Sequence, residues 1–296
     1  MTESARNGYV LVGVDYGPES AAAAKWAVDD AQARGRDVVL AHGIPLLYGD
    51  APMTADMVDQ IVADAQALVD GLMSQLVIPP SLTVQAVIEP SPPVALLRRL
   101  AESADLVVLG RHHQNLFERM TEGSITSPLS AHAPCPVMVV PAEYGWAAGY
   151  RKPVVVALDA TTAAGSALEF AFDEAAQRQV DLTVLHAGPL GESAVAVNDD
   201  LVTLAEILAG WKADRPDVTV HTVILPGEPA EVIVDASTEA GVMVVGRPHQ
   251  PRLGSWTRSV ARSVLRDAHC PLAIVPPSPL PLAHGRHPTR GATDDA

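Results

Sequence analysis

The feature that most constrains this chain is that it repeats itself. Tyr9-Val-Leu-Val-Gly-Val-Asp15 returns 144 residues later as Pro153-Val-Val-Val-Ala-Leu-Asp159. Asp37-Val-Val-Leu-Ala-His42 returns at the same offset as Asp181-Leu-Thr-Val-Leu-His186. Asp105-Leu-Val-Val-Leu-Gly110 returns 136 residues on as Gly241-Val-Met-Val-Val-Gly246, and His113-Gln114 returns as His249-Gln250. Ala133-Pro-Cys-Pro-Val-Met-Val-Val140 is echoed 135 residues later by Ala268-His-Cys-Pro-Leu-Ala-Ile-Val275. Ordered matches with a slowly shrinking offset mean a tandem duplication with small deletions in the second copy. The period is that of a whole domain, which excludes a solenoid of short repeats.

Within each copy, short apolar runs alternate with helical patterns. In copy one the runs are 9–14, 37–42, 82–88, 106–109 and 137–140. They are apolar at consecutive positions, as strands of a parallel sheet covered on both faces are. Met57, Ile61, Ala65, Leu68, Leu72 and Leu76 recur every three or four residues and predict a helix over 55–77, with Asp56, Asp59, Asp64 and Asp70 largely off that stripe. Helices are also expected at 20–34, 92–103 and 124–132. In copy two they are expected near 162–179, 198–214, 229–239 and 259–268. Each copy reads βαβαβαβαβ, so the fold class is α/β: two doubly wound domains with helices on both sheet faces. Right-handed crossovers then require one reversal of winding, and ligands bind beyond the carboxyl ends of the strands at that reversal. The expected domains are 8–141 and 152–276. The segment from 277 to 296, rich in Pro, His and Gly, is expected to be a disordered tail.

Composition narrows the function. The net charge is −15, so a general nucleic-acid binder, which needs a basic face, is excluded. Anion binding would have to be local, from backbone amides or a few arginines. Two cysteines, Cys135 and Cys270, are no disulfide framework and suit a reducing compartment; both are expected to be buried small hydrophobes. The stretch from Met1 to Gly8 is polar, and no run of 18 apolar residues occurs, so the expectation is a cytoplasmic chain without a membrane span.

Asp15 ends the first strand and Gly110, followed by Arg111, ends the fourth. Gly123-Ser124 then opens a helix, whose first amides and positive dipole end suit a phosphate. A carboxylate at Asp15 suits a ribose hydroxyl, or a divalent ion held beside phosphates. Taken singly, a Gly-Ser before a helix is an ordinary cap and an Asp after a strand an ordinary turn residue. Their conjunction at one switch point is what gives them weight. His112 and His113 lack carboxylate or cysteine partners at ligand spacing, so a protein-only metal site is not expected. Neither a Gly-x-Ser-x-Gly elbow nor a Gly-x4-Gly-Lys-Ser/Thr loop occurs.

Val12-Gly13-Val14-Asp15, with Gly110-x-x-His113-x9-Gly123-Ser124, resembles the universal stress protein domain in its nucleotide-binding branch, and the tandem arrangement resembles the actinobacterial type. The resemblance covers both copies and includes the ending His132-Ala133-x-Cys135-Pro136. It implies a five-stranded parallel sheet in the order 3-2-1-4-5, ATP in the crevice between strands one and four, Mg2+ carried with the nucleotide near Asp15, and dimer contacts through strand five. The implied cofactor-site residues in copy one are Gly13, Asp15, His42, Gly110, Arg111, His113, Gly123 and Ser124. In copy two they are Asp159, Gly246, Arg247 and Ser259. Departures are visible. His113 stands where the family motif has its middle glycine, and Gly17 where a Ser is usual. The copy-two loop is one residue short, places Arg258 where copy one has Gly123, and loses two amides to Pro248 and Pro251. Arg247, Arg252, Arg258, Arg262 and Arg266 offer charge to an anion there, or form a solvated face paired with nearby acids.

Three readings follow. The first is an adenine-nucleotide-binding regulatory module of stress physiology, best retained in copy one. It has no residue placed to activate water, so fast hydrolysis is not expected. The second is a degenerate, ligand-free interaction protein, and the third an enzyme such as an adenylyl-transferring relative, for which the catalytic signatures are missing. The two copies are further expected to pair through strands 137–140 and 272–275, covering an otherwise exposed apolar edge. Homodimerisation is expected through strand-five edges, with neither nucleic acid nor membrane as a partner.

Overall fold

The computed structural model describes residues 8–45, 54–111, 126–143, 151–158, 165–188, 194–247 and 256–277. Copy one runs β1 (Tyr9–Gly13), α1 (Glu19–Arg34), β2 (Asp37–Gly43), α2 (Ala55–Gln75), β3 (Val84–Glu89), α3 (Pro93–Ala101), β4 (Ala104–Arg111), α4 (Thr126–His132) and β5 (Val137–Pro141). Copy two runs β6 (Val154–Ala157), α5 (Gly165–Arg178), β7 (Leu182–Gly188), α6 (Ala194–Asp214), β8 (Val220–Pro226), α7 (Pro229–Ala236), β9 (Val242–Gly246), α8 (Trp256–Asp267) and β10 (Leu272–Val275). The sequence reading placed strand four at 106–109, but β4 extends at both ends. Its hydrogen-bonded ladder continues past the apolar run to pair Gly110 with Val140 and Arg111 with Pro141. Helix α3 is shorter than the expected 92–103, because Pro92 is extended (ψ 132°) and serves as the cap.

The strands form one ten-stranded sheet, β3-β2-β1-β4-β5-β10-β9-β6-β7-β8. Each half has the order 3-2-1-4-5 and is parallel throughout, and β1 makes the reversal between β2 and β4. The expected two sheets are therefore halves of one. They join where β5 and β10 pair antiparallel, with Val139 opposite Leu272 and Met138 opposite Ala273. This is the expected union of the fifth strands, and it corrects the other expectation about them. With β4 and β10 flanking β5, and β9 and β5 flanking β10, neither strand has an edge left for a second chain. The outer edges of the sheet are β3 and β8. Because the join is antiparallel, the carboxyl ends of the two halves face opposite ends of the sheet.

One face of the sheet carries a single core that crosses the join. Val10, Val12, Trp26 and Met138 belong to it with Val154, Phe172, Val244 and Ala273. The other face has a separate cluster over each half, around Leu97 and Leu129 in copy one and around Ile233 and Val264 in copy two. On the shared face α1 meets α5 through a buried charge network that obeys the repeat. Trp26, Asp30 and Arg34 correspond at offset 144 to Phe170, Glu174 and Arg178. Arg34 Nε donates to Asp30 at 2.8 Å, and its Nη2 crosses to Glu174 at 2.5 Å. Arg178 Nε donates to Glu174 at 2.6 Å, and Gln177 Nε2 crosses to Asp30 at 3.2 Å. Each guanidinium also lies over an aromatic ring of the other copy, Arg34 over Phe170 at 5.5 Å and Arg178 over Trp26 at 5.6 Å. Burial, reinforced by Glu174, raises the Asp30 carboxyl to about 6 against the pull of Arg34 and Arg178.

Candidate functional site

The strand order reverses at β1, where doubly wound sheets have their ligand crevice, and Asp15 lies two residues beyond the end of β1. Its backbone N–H donates to Ser20 Oγ at 2.9 Å, and the Ser20 hydroxyl donates back to Asp15 Oδ1 at 2.8 Å. Gly17 N–H donates to the same Oδ1, also at 2.8 Å. The turn that leads into α1 thus fixes the carboxylate before any ligand arrives. Ser20, buried in the first turn of α1, was missed from sequence. Its signal was a hydroxyl five residues beyond a strand-end Asp, close to a helix start.

His42, at the end of β2, is 8% exposed. Its Nδ1 lies 2.8 Å from the carbonyl of Val14. A carbonyl only accepts, so Nδ1 carries the proton. His186 makes the same bond to the Leu158 carbonyl at 2.9 Å. The imidazole therefore ties the end of the second strand to the first in both copies. Beside His42 stands Tyr16, 65% exposed and also missed from sequence. The two rings meet edge to face, with centroids 5.6 Å apart and planes at 87°.

The glycines serve close packing. A Cβ on Gly110 would lie 2.6–2.7 Å from the Cβ, C and O of Glu19, so this glycine lets the end of β4 abut the start of α1. A Cβ on Gly13 would meet Leu109 Cδ2 at 2.7 Å. At Gly246 the nearest atom is Ala167 Cβ at 3.6 Å, an ordinary contact.

Arg111 and Arg247 are directed away from the crevices and across the join. Arg111 Nη1 donates to the carbonyl of Ala268, just past α8. Arg247 Nη1 donates to the carbonyls of Ala133, at 2.8 Å, and Ser130, at 3.3 Å, at the end of α4. Each copy thus sends an arginine to the carboxyl end of a helix in the other, where unpaired carbonyls and the dipole favour a cation. Burial lowers both guanidinium pKa values from the ordinary value. In this arrangement both guanidinium groups are engaged between the copies. Of the other copy-two arginines, Arg266 pairs with Asp267 at 2.7 Å.

His113, Gly123, Ser124 and Asp159 lie outside the described residues, and Ser259 is on α8 with its side chain likewise outside them. Cys135 and Cys270 are buried, and desolvation pushes their thiols up to about 11 and about 12. Thiols that stay protonated are poor nucleophiles. Among the described residues, no group of three or more His, Cys, Asp or Glu side chains is placed to hold a metal ion. A Mg2+ ion held here would take Asp15 as its protein carboxylate and its remaining ligands from the oxygens of a bound molecule. No helix among the described residues is long and apolar enough to cross a membrane.

A profile of the Universal stress protein family matches residues 8–141 and again 151–276. A universal stress protein of Mycolicibacterium smegmatis is 31% identical over 298 residues, covering 94% of this chain and all of its own. A universal stress protein of Mycobacterium tuberculosis H37Rv is 32% identical over 295 residues, covering 93% of this chain and 99% of its own. The crystal structure of a universal stress protein from Archaeoglobus fulgidus superposes with a TM-score of 0.73 at 19% identity, over 92% of this chain and 97% of that one. Matches in both halves, and relatives alike over nearly their whole length, show that this chain belongs to the universal stress protein family and carries two of its domains in tandem.

Proposed function

We propose that the chain is a regulatory module that binds an adenine nucleotide, ATP with Mg2+ foremost, in the copy-one crevice. The observation that carries this reading is the Asp15 carboxylate, held at the β1–β4 reversal by Gly17 N–H and Ser20 Oγ–H. A fixed carboxylate at a switch point is preorganised for ribose hydroxyls. His42 and Tyr16 border its β2 side, which suits the base. The β4 side leads in sequence to Gly123 and Ser124, which the family motif assigns to the phosphates. Copy two is the weaker site in this reading, with Arg258 in place of that glycine and its loop shortened. The protein acts by binding in the cytoplasm, and the chemistry of hydrolysis is not its output.

The test is a thermal-unfolding series with ATP and MgCl2. A ligand at 100 times its dissociation constant stabilises by roughly 2.7 kcal/mol. Asp15→Asn keeps the turn and removes the charge, and should weaken binding. Gly123→Arg should abolish the stabilisation, whereas Arg258→Gly should not reduce it. Absence of any shift at millimolar ATP, or a ligand bound only in copy two, would overturn the reading. One observation favours a ligand-free scaffold instead. Both arginines that follow the crevice glycines are engaged in the join, which leaves the anion to backbone amides. The same titration decides between the two.

A further inference from the structure

Tyr16 is a large ring that the fold leaves mostly in water. It is 65% exposed, and the other exposed large apolar side chains among the described residues are aliphatic. Its neighbour His42 is buried and tied by Nδ1 to the Val14 carbonyl, so Tyr16 leans on a fixed surface. The tandem copy provides an internal control. His186 makes the same strand-end bond to Leu158, yet the residue 144 positions after Tyr16 is Ala160. The tie therefore forms where the equivalent position carries no ring, so the tie itself does not require Tyr16. An organised, exposed ring that the strand-end tie does not need, placed beside the fixed carboxylate at the switch point, is a platform for a flat ligand.

We propose that Tyr16 stacks on the base of the bound nucleotide and sets a preference for purines over pyrimidines. The proposal rests on the nucleotide reading above and names the part of the ligand that copy one selects. Contact with His42 places Tyr16 on the β2 flank, opposite the β4 side and adjacent to Asp15, the order in which base, ribose and phosphates follow one another in a nucleotide. Stacking between a base and an aromatic side chain responds to alanine substitution by roughly 5- to 150-fold in affinity. A purine, with two fused rings, covers more of the platform than a pyrimidine.

The experiment titrates the full chain with a fluorescent methylanthraniloyl-ATP and competes it with ATP, GTP, CTP and UTP. Wild type, Tyr16→Phe and Tyr16→Ala are compared, and their unliganded melting temperatures are recorded. Expected are near-wild-type binding for Tyr16→Phe and at least roughly fivefold weaker ATP and GTP binding for Tyr16→Ala. CTP and UTP should change much less, and the unliganded melting temperature should not move. Unchanged purine affinity in Tyr16→Ala overturns the proposal and leaves the nucleotide reading standing. So does an equal loss for all four nucleotides with a lowered melting temperature, or a Tyr16→Phe variant as weak as Tyr16→Ala. A wild-type protein that binds none of the four at millimolar concentration overturns both.

Discussion

Replacing Glu174 by Gln removes the carboxylate that Arg34 and Arg178 both bond directly. The Glu174 side chain is fully buried and that of Arg178 is 2% exposed, so water cannot take over the lost contacts. The substituted amide keeps one acceptor oxygen but turns an NH2 donor toward a guanidinium that also only donates. Arg34 retains Asp30, whereas Arg178 keeps the Trp26 ring and the attraction of Asp30 but loses its direct bond to Glu174. Breaking a buried ion pair from one side costs about 3–5 kcal/mol, much of it the uncompensated charge left behind. For a chain of this size about 2 °C accompanies each kcal/mol, so the melting temperature should fall by roughly 6–10 °C. The assay is urea unfolding followed by far-UV circular dichroism and by tryptophan fluorescence, to which Trp26 beside Arg178 contributes with the chain's three other tryptophans. A double-mutant cycle with Arg34→Met isolates the bond between copies and should return a coupling of about 0.5–3 kcal/mol. A loss below about 1 kcal/mol for Glu174→Gln, the scale of an exposed pair, would refute the reasoning. A coupling indistinguishable from zero would do the same for the contact between α1 and α5.

Three further outcomes are expected. Gly110→Ala should cost about 1–3 kcal/mol in denaturant unfolding, because its Cβ meets the backbone of Glu19, whereas Gly246→Ala should be neutral or slightly stabilising. Asp30 has its carboxyl raised from 3.8 to about 6 in the fold, so the folded state binds the extra proton between those values and gains stability as pH falls through 6. Relative to Asp30→Asn, wild type should gain up to about 3 kcal/mol between pH 7.5 and pH 4, measured as the difference in unfolding free energy at each pH; a flat difference contradicts the shift. Arg247→Met should lose about 1–2 kcal/mol of stability, from its bonds to Ala133 and Ser130, and leave nucleotide affinity unchanged. Weaker ligand binding at full stability would return Arg247 to a crevice.

Much of the architecture is legible in the amino-acid sequence alone. Consecutive apolar residues in 9–14 and 106–109 meant strands covered on both faces, and the five ordered echoes meant that whatever copy one folded into, copy two would repeat. The positions of Asp15 and His42 at strand ends followed from the same runs, because local hydrophobic pattern and strand termination are properties of neighbouring residues. The tertiary structure alone decided what joins residues far apart in the chain. Arg111 and Arg247 read as crevice ligands because they follow the crevice glycines. Their partners lie 157 and 114 residues away and come within reach only once β5 and β10 have paired. Asp30, Arg34, Glu174 and Arg178 are charges on two helices, and nothing in their local sequence says whether water or protein surrounds them. The antiparallel join brings α1 against α5 and turns them into a buried network. Ser20 and Tyr16 belong to the same class, since a hydroxyl's partner and a ring's exposure depend on the turn that Asp15 makes in space. Periodicity encodes which face of an element is apolar; which element covers that face, and which charges are buried with it, is settled only when the sheet closes.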